Sequence, residues 1–168
     1  MQAFLARIPL FAALTTDDLP DVLRTLRPLP MVEREVVFRQ GSVGDACYVV
    51  QSGAIEVRVG DLAVATMGPG EVFGELALID GAPRSASAVC TGAGTLYRLD
   101  KAEFDHLRRE LRPAAFKILR VMAVTVSGRL RETNDHIALA LAAEVGSTET
   151  GKGRARVLLD MFGFWSKS

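Results

Sequence analysis

The residues with the most chemistry in them run without a gap from Phe73 to Ala88: Phe73-Gly74-Glu75-Leu76-Ala77-Leu78-Ile79-Asp80-Gly81-Ala82-Pro83-Arg84-Ser85-Ala86-Ser87-Ala88. The segment predicts one short helical turn, Glu75 to Ile79, between two strands. Gly74 lets the backbone approach a ligand with no Cβ in the way. The start of the turn offers the N–H groups of Leu76 and Ala77, which have no helical acceptor, at the positive end of the helix dipole. Arg84 follows a Gly-Ala-Pro turn that can fold it back to the same spot, and a guanidinium fork suits two phosphate oxygens at once. Arg84 alone is as compatible with a solvated loop, and Glu75 alone with a charge that favours a helix start. Together they ask for a ligand that carries both an anion and a neutral donor. A sugar hydroxyl is such a donor, and it explains a carboxylate beside an anion site.

The same residues limit the ligand's charge. One arginine, a few amides and a neighbouring carboxylate suit a singly charged phosphodiester. A triphosphate asks for a lysine and a metal-holding hydroxyl, and no GxxxxGK[ST] loop occurs in the chain. A cyclic phosphodiester attached to a ribose fits the pieces.

Three textures must position this segment. Residues 1–30 read as helical, with Leu14, Leu19, Val22, Leu23 and Leu26 at helical spacing. Thr15 or Thr16 is the candidate cap, Asp17 and Asp18 favour the helix start, Pro20 is tolerated in a first turn, and Pro28 and Pro30 stop the helix. Residues 31–99 alternate short β-rich runs with glycine-bearing turns. Ile55, Val57 and Val59 point one way while Glu56 and Arg58 point the other. Many short strands at close, turn-bounded spacing predict an antiparallel sandwich or barrel. Residues 100–145 return to helix, with Asp100 and Glu103 at capping-box spacing and a long segment opened by Pro113. Along it Val126, Leu130, Thr133, Ile137 and Ala140 form a short coiled-coil-like seam. Gly146 is a natural stop, and 146–168 reads as a polar linker followed by an apolar tail with Phe162, Phe164 and Trp165.

The 168 residues suffice for one domain with a good core, and 49% of them are apolar. Lys plus Arg equals Asp plus Glu, so no basic excess is present to grip a nucleic acid. Cys47 and Cys90, set among small apolar residues, read as reduced core thiols of a cytoplasmic protein. The N-terminal apolar stretch is too short and interrupted for a membrane span or a signal peptide. His106 and His136 fall on predicted helices with no carboxylate or cysteine cluster at ligand spacing, which argues against a metal site and leaves an enzyme reading without support.

The segment resembles the phosphate-binding cassette of the cyclic-nucleotide-binding domain family, shared by catabolite activators, kinase regulatory subunits and nucleotide-gated channels. The family pattern, FGE[LIM][AS]L followed by a short turn and PR[SAT]A, is matched throughout. Ile8–Leu14, Phe38-Arg39-Gln40-Gly41, Gly44-Asp45, Tyr48-Val49-Val50, Ser52-Gly53, Gly68-Pro69-Gly70-Glu71 and Leu99-Asp100 extend the likeness over roughly residues 8 to 145. One departure is Arg34, where the family often has glycine.

The resemblance implies an α+β chain, mainly β: an antiparallel jelly-roll β-barrel with N-terminal helices and a long C-terminal helix, occupying residues 1–145. It implies that Gly74 and Glu75 hold the ribose 2′-hydroxyl. It gives the cyclic phosphate to the Leu76 and Ala77 amides, Arg84 and the Ser85 hydroxyl. It places Arg129, Thr133 and Asn134 of the long helix near the base. The expected ligand is cAMP, by likeness to bacterial members, with cGMP also compatible with Ser85, and no further cofactor is expected. The function implied is a stand-alone sensor that moves its C-terminal helix to signal to an effector protein. The short stretch after Gly146 leaves no room for a winged helix-turn-helix, so DNA binding is not expected, and the seam implies a weak homodimer at most.

Overall fold

The computed structural model describes residues 2–145. Its strands are Leu26–Met31 (β1), Val36–Phe38 (β2), Ala46–Ser52 (β3), Ile55–Val59 (β4), Leu62–Met67 (β5), Val72–Phe73 (β6), Ser87–Cys90 (β7) and Gly94–Asp100 (β8). Its helices are Gln2–Leu5 (α1), Leu19–Thr25 (α2), Leu76–Ile79 (α3), Lys101–Arg109 (α4) and Pro113–Val145 (α5), with a 3-10 turn at Pro9–Phe11. Every strand pair is antiparallel. One sheet has the order β1-β8-β3-β6 and the other β2-β7-β4-β5, the two halves of a jelly roll. The chain divides into two units, one ending at Met122 and the other beginning at Ala123 within α5.

Strand β3 shows why the middle of the first unit folds this way. Its residues Ala46 to Val50 are all buried, which one covered face cannot explain. Cys47 and Val49 join a core with helix residues Phe11, Val22, Phe104 and Ile118. Ala46, Tyr48 and Val50 join a second core between the sheets, with Ile55, Phe73, Ala88 and Leu96. A period of two thus feeds two cores at once. In β8, Leu96 goes to the inter-sheet core while Tyr97 and Leu99 go to the helical one.

Three local expectations are corrected. Residues 26–30, assigned to the helical N-terminal region, belong instead to β1, which pairs along its length with β8. The β-roll therefore begins at Leu26 and not at residue 31. Pro28 and Pro30, two residues apart, lack their N–H groups on the same side of the strand, which an outermost strand tolerates. Asp100 precedes α4 but makes no side-chain cap. Its carboxylate instead accepts Arg98 Nε at 2.7 Å, a charge-assisted bond stronger than a neutral cap. Neither Thr15 nor Thr16 caps α2: the N-cap is Asp18, and Thr15 donates its N–H and hydroxyl to that carboxylate, both at 2.7 Å.

The α4–α5 corner is tied to the N-terminal helix by charge. Arg112 Nε donates to Asp21 at 2.6 Å, and Lys117 Nζ to Asp18 at 2.5 Å. Both carboxylates are buried. The Lys117 bond holds the Asp18 carboxyl down at about 2, against the opposing effect of burial. The Arg112 bond likewise lowers Asp21. Between the helices Leu111 adopts φ +53, the left-handed geometry of a Schellman helix end. The Leu111 N–H donates to the Arg108 carbonyl and the Arg112 N–H to that of Leu107. Arg34, at the position where the resemblance expects glycine, is the other non-glycine residue in that region among the described residues, at φ +68.

Candidate functional site

Strand β6 delivers Phe73 into the inter-sheet core, and the chain then turns at Gly74, with φ +69. That value favours glycine, and so does the space: a Cβ would lie 2.7 Å from Arg84 Nη1 and 3.2 Å from Phe38 Cε1. Glu75 stands at the N-cap of α3 and is buried. Leu76 and Ala77 form its first turn, so their amides have no acceptor within the helix. Ala77 is buried and Leu76 partly exposed. The Asp80 carboxylate accepts the Ala82 N–H at 2.9 Å and shapes the Gly-Ala-Pro turn. Arg84 is then fixed by its own backbone: its N–H donates to Ser42 O and its carbonyl accepts Gly41 N–H, each at 2.8 Å. The loop carrying these partners packs on α3 so closely that a Cβ at Gly44 would lie 2.5 Å from that of Ala77.

Ten residues apart in sequence, Gly74 and Arg84 thus meet, and Nη1 of Arg84 donates to Gly74 O at 3.0 Å. The Arg84 side chain is only 3% exposed. Its Nη2 reaches Asp45 at 3.4 Å, while its Nε is buried without a hydrogen-bond partner. A buried guanidinium with an unused donor is costly unless an anion completes it. Ser85 is exposed beside it. Arg129, Thr133 and Asn134 lie on α5 in the second unit, where Thr133 Oγ1 donates to the Arg129 carbonyl at 2.8 Å.

Several members of the site were not singled out by sequence. Asp45 is shared by two arginines, accepting Arg98 Nη2 at 2.8 Å besides the longer contact with Arg84. Burial pushes its carboxyl up, but the Arg98 bond brings it below the usual carboxylate value. Arg98 also donates to Tyr48 Oη at 2.9 Å and to Asp100. The Phe38 ring lies under the Arg84 guanidinium, 4.1 Å from Cζ to the ring centroid. Phe38, Asp45, Tyr48 and Asp100 belong to the short motifs of the family likeness, but their part in holding Arg84 and Arg98 is not legible there, because each acts across strands distant in sequence. Cys47 lies behind the site, its thiol pushed up to about 12 by burial and then by the Glu75 charge, the signature of an inert core cysteine. Among the described residues no group of three or more His, Cys, Asp and Glu side chains is placed to hold a metal ion. No helix among them is long and apolar enough to cross a membrane.

Comparison with known proteins agrees with this geometry. Residues 30–110 match the family model of the cyclic nucleotide-binding domain. The regulatory subunit of cAMP-dependent protein kinase from Blastocladiella emersonii is 39% identical over 122 residues, covering 67% of this chain and 30% of that protein. A CRP-like cAMP-activated global transcriptional regulator of Mycobacterium tuberculosis is 28% identical over 152 residues, covering 86% of this chain and 65% of that one. The catabolite activator protein of Thermus thermophilus superposes with a TM-score of 0.69 at 26% identity, over 92% of this chain and 88% of that chain. The chain spans about a third of the kinase subunit and under two thirds of the transcriptional regulator. Jelly roll, cassette and family model coincide, and the chain belongs to the cyclic-nucleotide-binding domain family.

Proposed function

We propose that this chain binds a 3′,5′-cyclic nucleotide, cAMP in preference to cGMP, and acts as a non-enzymatic cytoplasmic sensor module over residues 1–145. The carrying observation is the Arg84 guanidinium, buried beside Gly74 and the first turn of α3 with its Nε unpaired. In this reading Arg84, Ser85 and the Leu76 and Ala77 amides take the cyclic phosphate, and Gly74 and Glu75 take the ribose. The names of the kinase subunit and the transcriptional regulator support the choice of cAMP. Arg129, Thr133 and Asn134 are assigned to the base by family likeness alone.

The output is a change in α5 that an effector protein reads, since a ligand shifts a protein only through unequal affinity for two of its states. Calorimetry on the whole chain tests the binding step. Removing one side of a buried charged contact costs about 2–5 kcal/mol, so Arg84→Ala should weaken cAMP binding roughly 30-fold or more with the fold intact. Affinity within about threefold of wild type would reject the assignment. Hydrogen exchange tests the output. cAMP should slow exchange in residues 74–86 and also in 126–140, and protection confined to 74–86 would leave a binder without this switch.

A further inference from the structure

Arg84 is held in an unusual way for a buried cation. The carboxylate it reaches, Asp45, stands 3.4 Å from Nη2 and is engaged more closely by Arg98, at 2.8 Å. Its one short bond is to a neutral carbonyl, Gly74 O. The Phe38 ring lies across the guanidinium, 4.1 Å from Cζ to the ring centroid, with Tyr48 at 5.9 Å from the same carbon. Phe38 is packed in turn against Tyr48 and Phe73, with centroids 5.8 and 5.9 Å away. Strand β2 shifts register against β7 between Val36 and Phe38, an irregularity of the kind that re-aims a side chain beside a site.

We propose that Phe38 is a positioning residue whose ring face holds the Arg84 guanidinium in place for the anionic group of the ligand. The inference rests on the reading of Arg84 given above and adds to it how the arginine is kept ready. An aromatic face attracts a cation through its quadrupole and takes up no N–H in doing so. A carboxylate in the same place would occupy the donors and neutralise the charge that the phosphodiester needs. Phe38 therefore holds the guanidinium while leaving Nε free of any protein acceptor, as observed. Leucine would fill similar space without the ring's charge distribution. Tyrosine would keep it.

The test uses the whole chain with cAMP as the probe. Phe38→Leu should raise Kd about tenfold, the change that corresponds to a desolvated cation–π contact, and Phe38→Tyr should stay within about threefold of wild type. In an Arg84→Ala background, Phe38→Leu should add less than about a twofold further loss, because the ring acts through the arginine. The Nε–H resonance of Arg84 gives a readout without ligand: the ring current should displace it in wild type and in Phe38→Tyr, and Phe38→Leu should move it back. Equal affinity in Phe38→Leu and wild type, an undiminished loss in the Arg84→Ala background, or an Arg84 resonance indifferent to Phe38 would each overturn the proposal. Wild-type protein that takes up no cyclic nucleotide would instead reject the proposed function, and the resonance would still judge the Phe38–Arg84 pairing.

Discussion

Replacing Asp18 with asparagine tests whether charge ties the N-terminal helix to the start of α5. The carboxylate is buried and accepts from the Thr15 N–H, the Thr15 hydroxyl and Lys117 Nζ. Its carboxyl is held at about 2 against an ordinary 3.8. Taken at face value that shift corresponds to about 2.4 kcal/mol, and the partial exposure of Lys117 reduces it to about 1–2 kcal/mol. The folded value lies below the unfolded one, so this stability is complete above about pH 5 and drains away as pH falls toward 2. Urea unfolding at pH 7 should show Asp18→Asn with a midpoint about 0.5–1 M below wild type. The gap should close near pH 2, where the wild-type carboxylate is itself becoming protonated. Lys117→Met should cost more than Asp18→Asn, because it leaves a buried carboxylate without its cation. The reverse mutation leaves an ammonium that can turn to water. An equal gap at both pH values would assign the loss to packing, and no gap at pH 7 would refute the electrostatic tie.

Further expectations follow from single residues. If Glu75 accepts a ribose 2′-hydroxyl, 2′-deoxy-cAMP should bind wild type about tenfold or more weakly, while Glu75→Ala should barely distinguish it from cAMP in calorimetry. Leu111 and Arg34 are exposed residues at positive φ, so Leu111→Gly and Arg34→Gly should each be more stable in urea than the matching valine variant, by about 1–2 kcal/mol. Cys47, with its thiol pushed up to about 12, should stay unreactive toward Ellman's reagent at pH 8 until the chain unfolds. Sedimentation of wild type against Leu130→Glu measures the seam of α5: a weak dimer lost in the variant supports pairing through it, and a strict monomer with and without cAMP removes it.

The cassette was legible because its chemistry is nearly contiguous. Gly74, Glu75 and Arg84 belong to one strand–turn–strand segment, and a sixteen-residue window holds the whole pattern. Helix α5 was equally legible, since Pro113 opens it and the seam has a helical period. Strand β1 was not. Its apolar residues fit a helical spacing, and only pairing with β8, far along the chain, decides in favour of a strand. Asp100 went wrong for a related reason: a capping box is a local pattern, and a charged partner on the same strand outcompeted it.

What sequence reading misses at this site is how the cation is handled, and that information is distributed by topology. Asp45 lies 39 residues from Arg84 and 53 from Arg98, yet one carboxylate divides itself between the two. The division is unequal, 3.4 against 2.8 Å, so Arg98 is the better neutralised of the pair. Arg98 carries further partners in Tyr48 and Asp100 and has donors committed on several sides, as a structural arginine does. Arg84, similarly charged but more deeply buried, is left with an aromatic face, one carbonyl and an unused donor. Two arginines of the same fold are thus separated by the company that the strands bring to them, one with its donors committed and one with a donor unused, the one that the proposed function gives to the ligand. A motif scan finds only the second of the two, and the distances add that it is the less committed one.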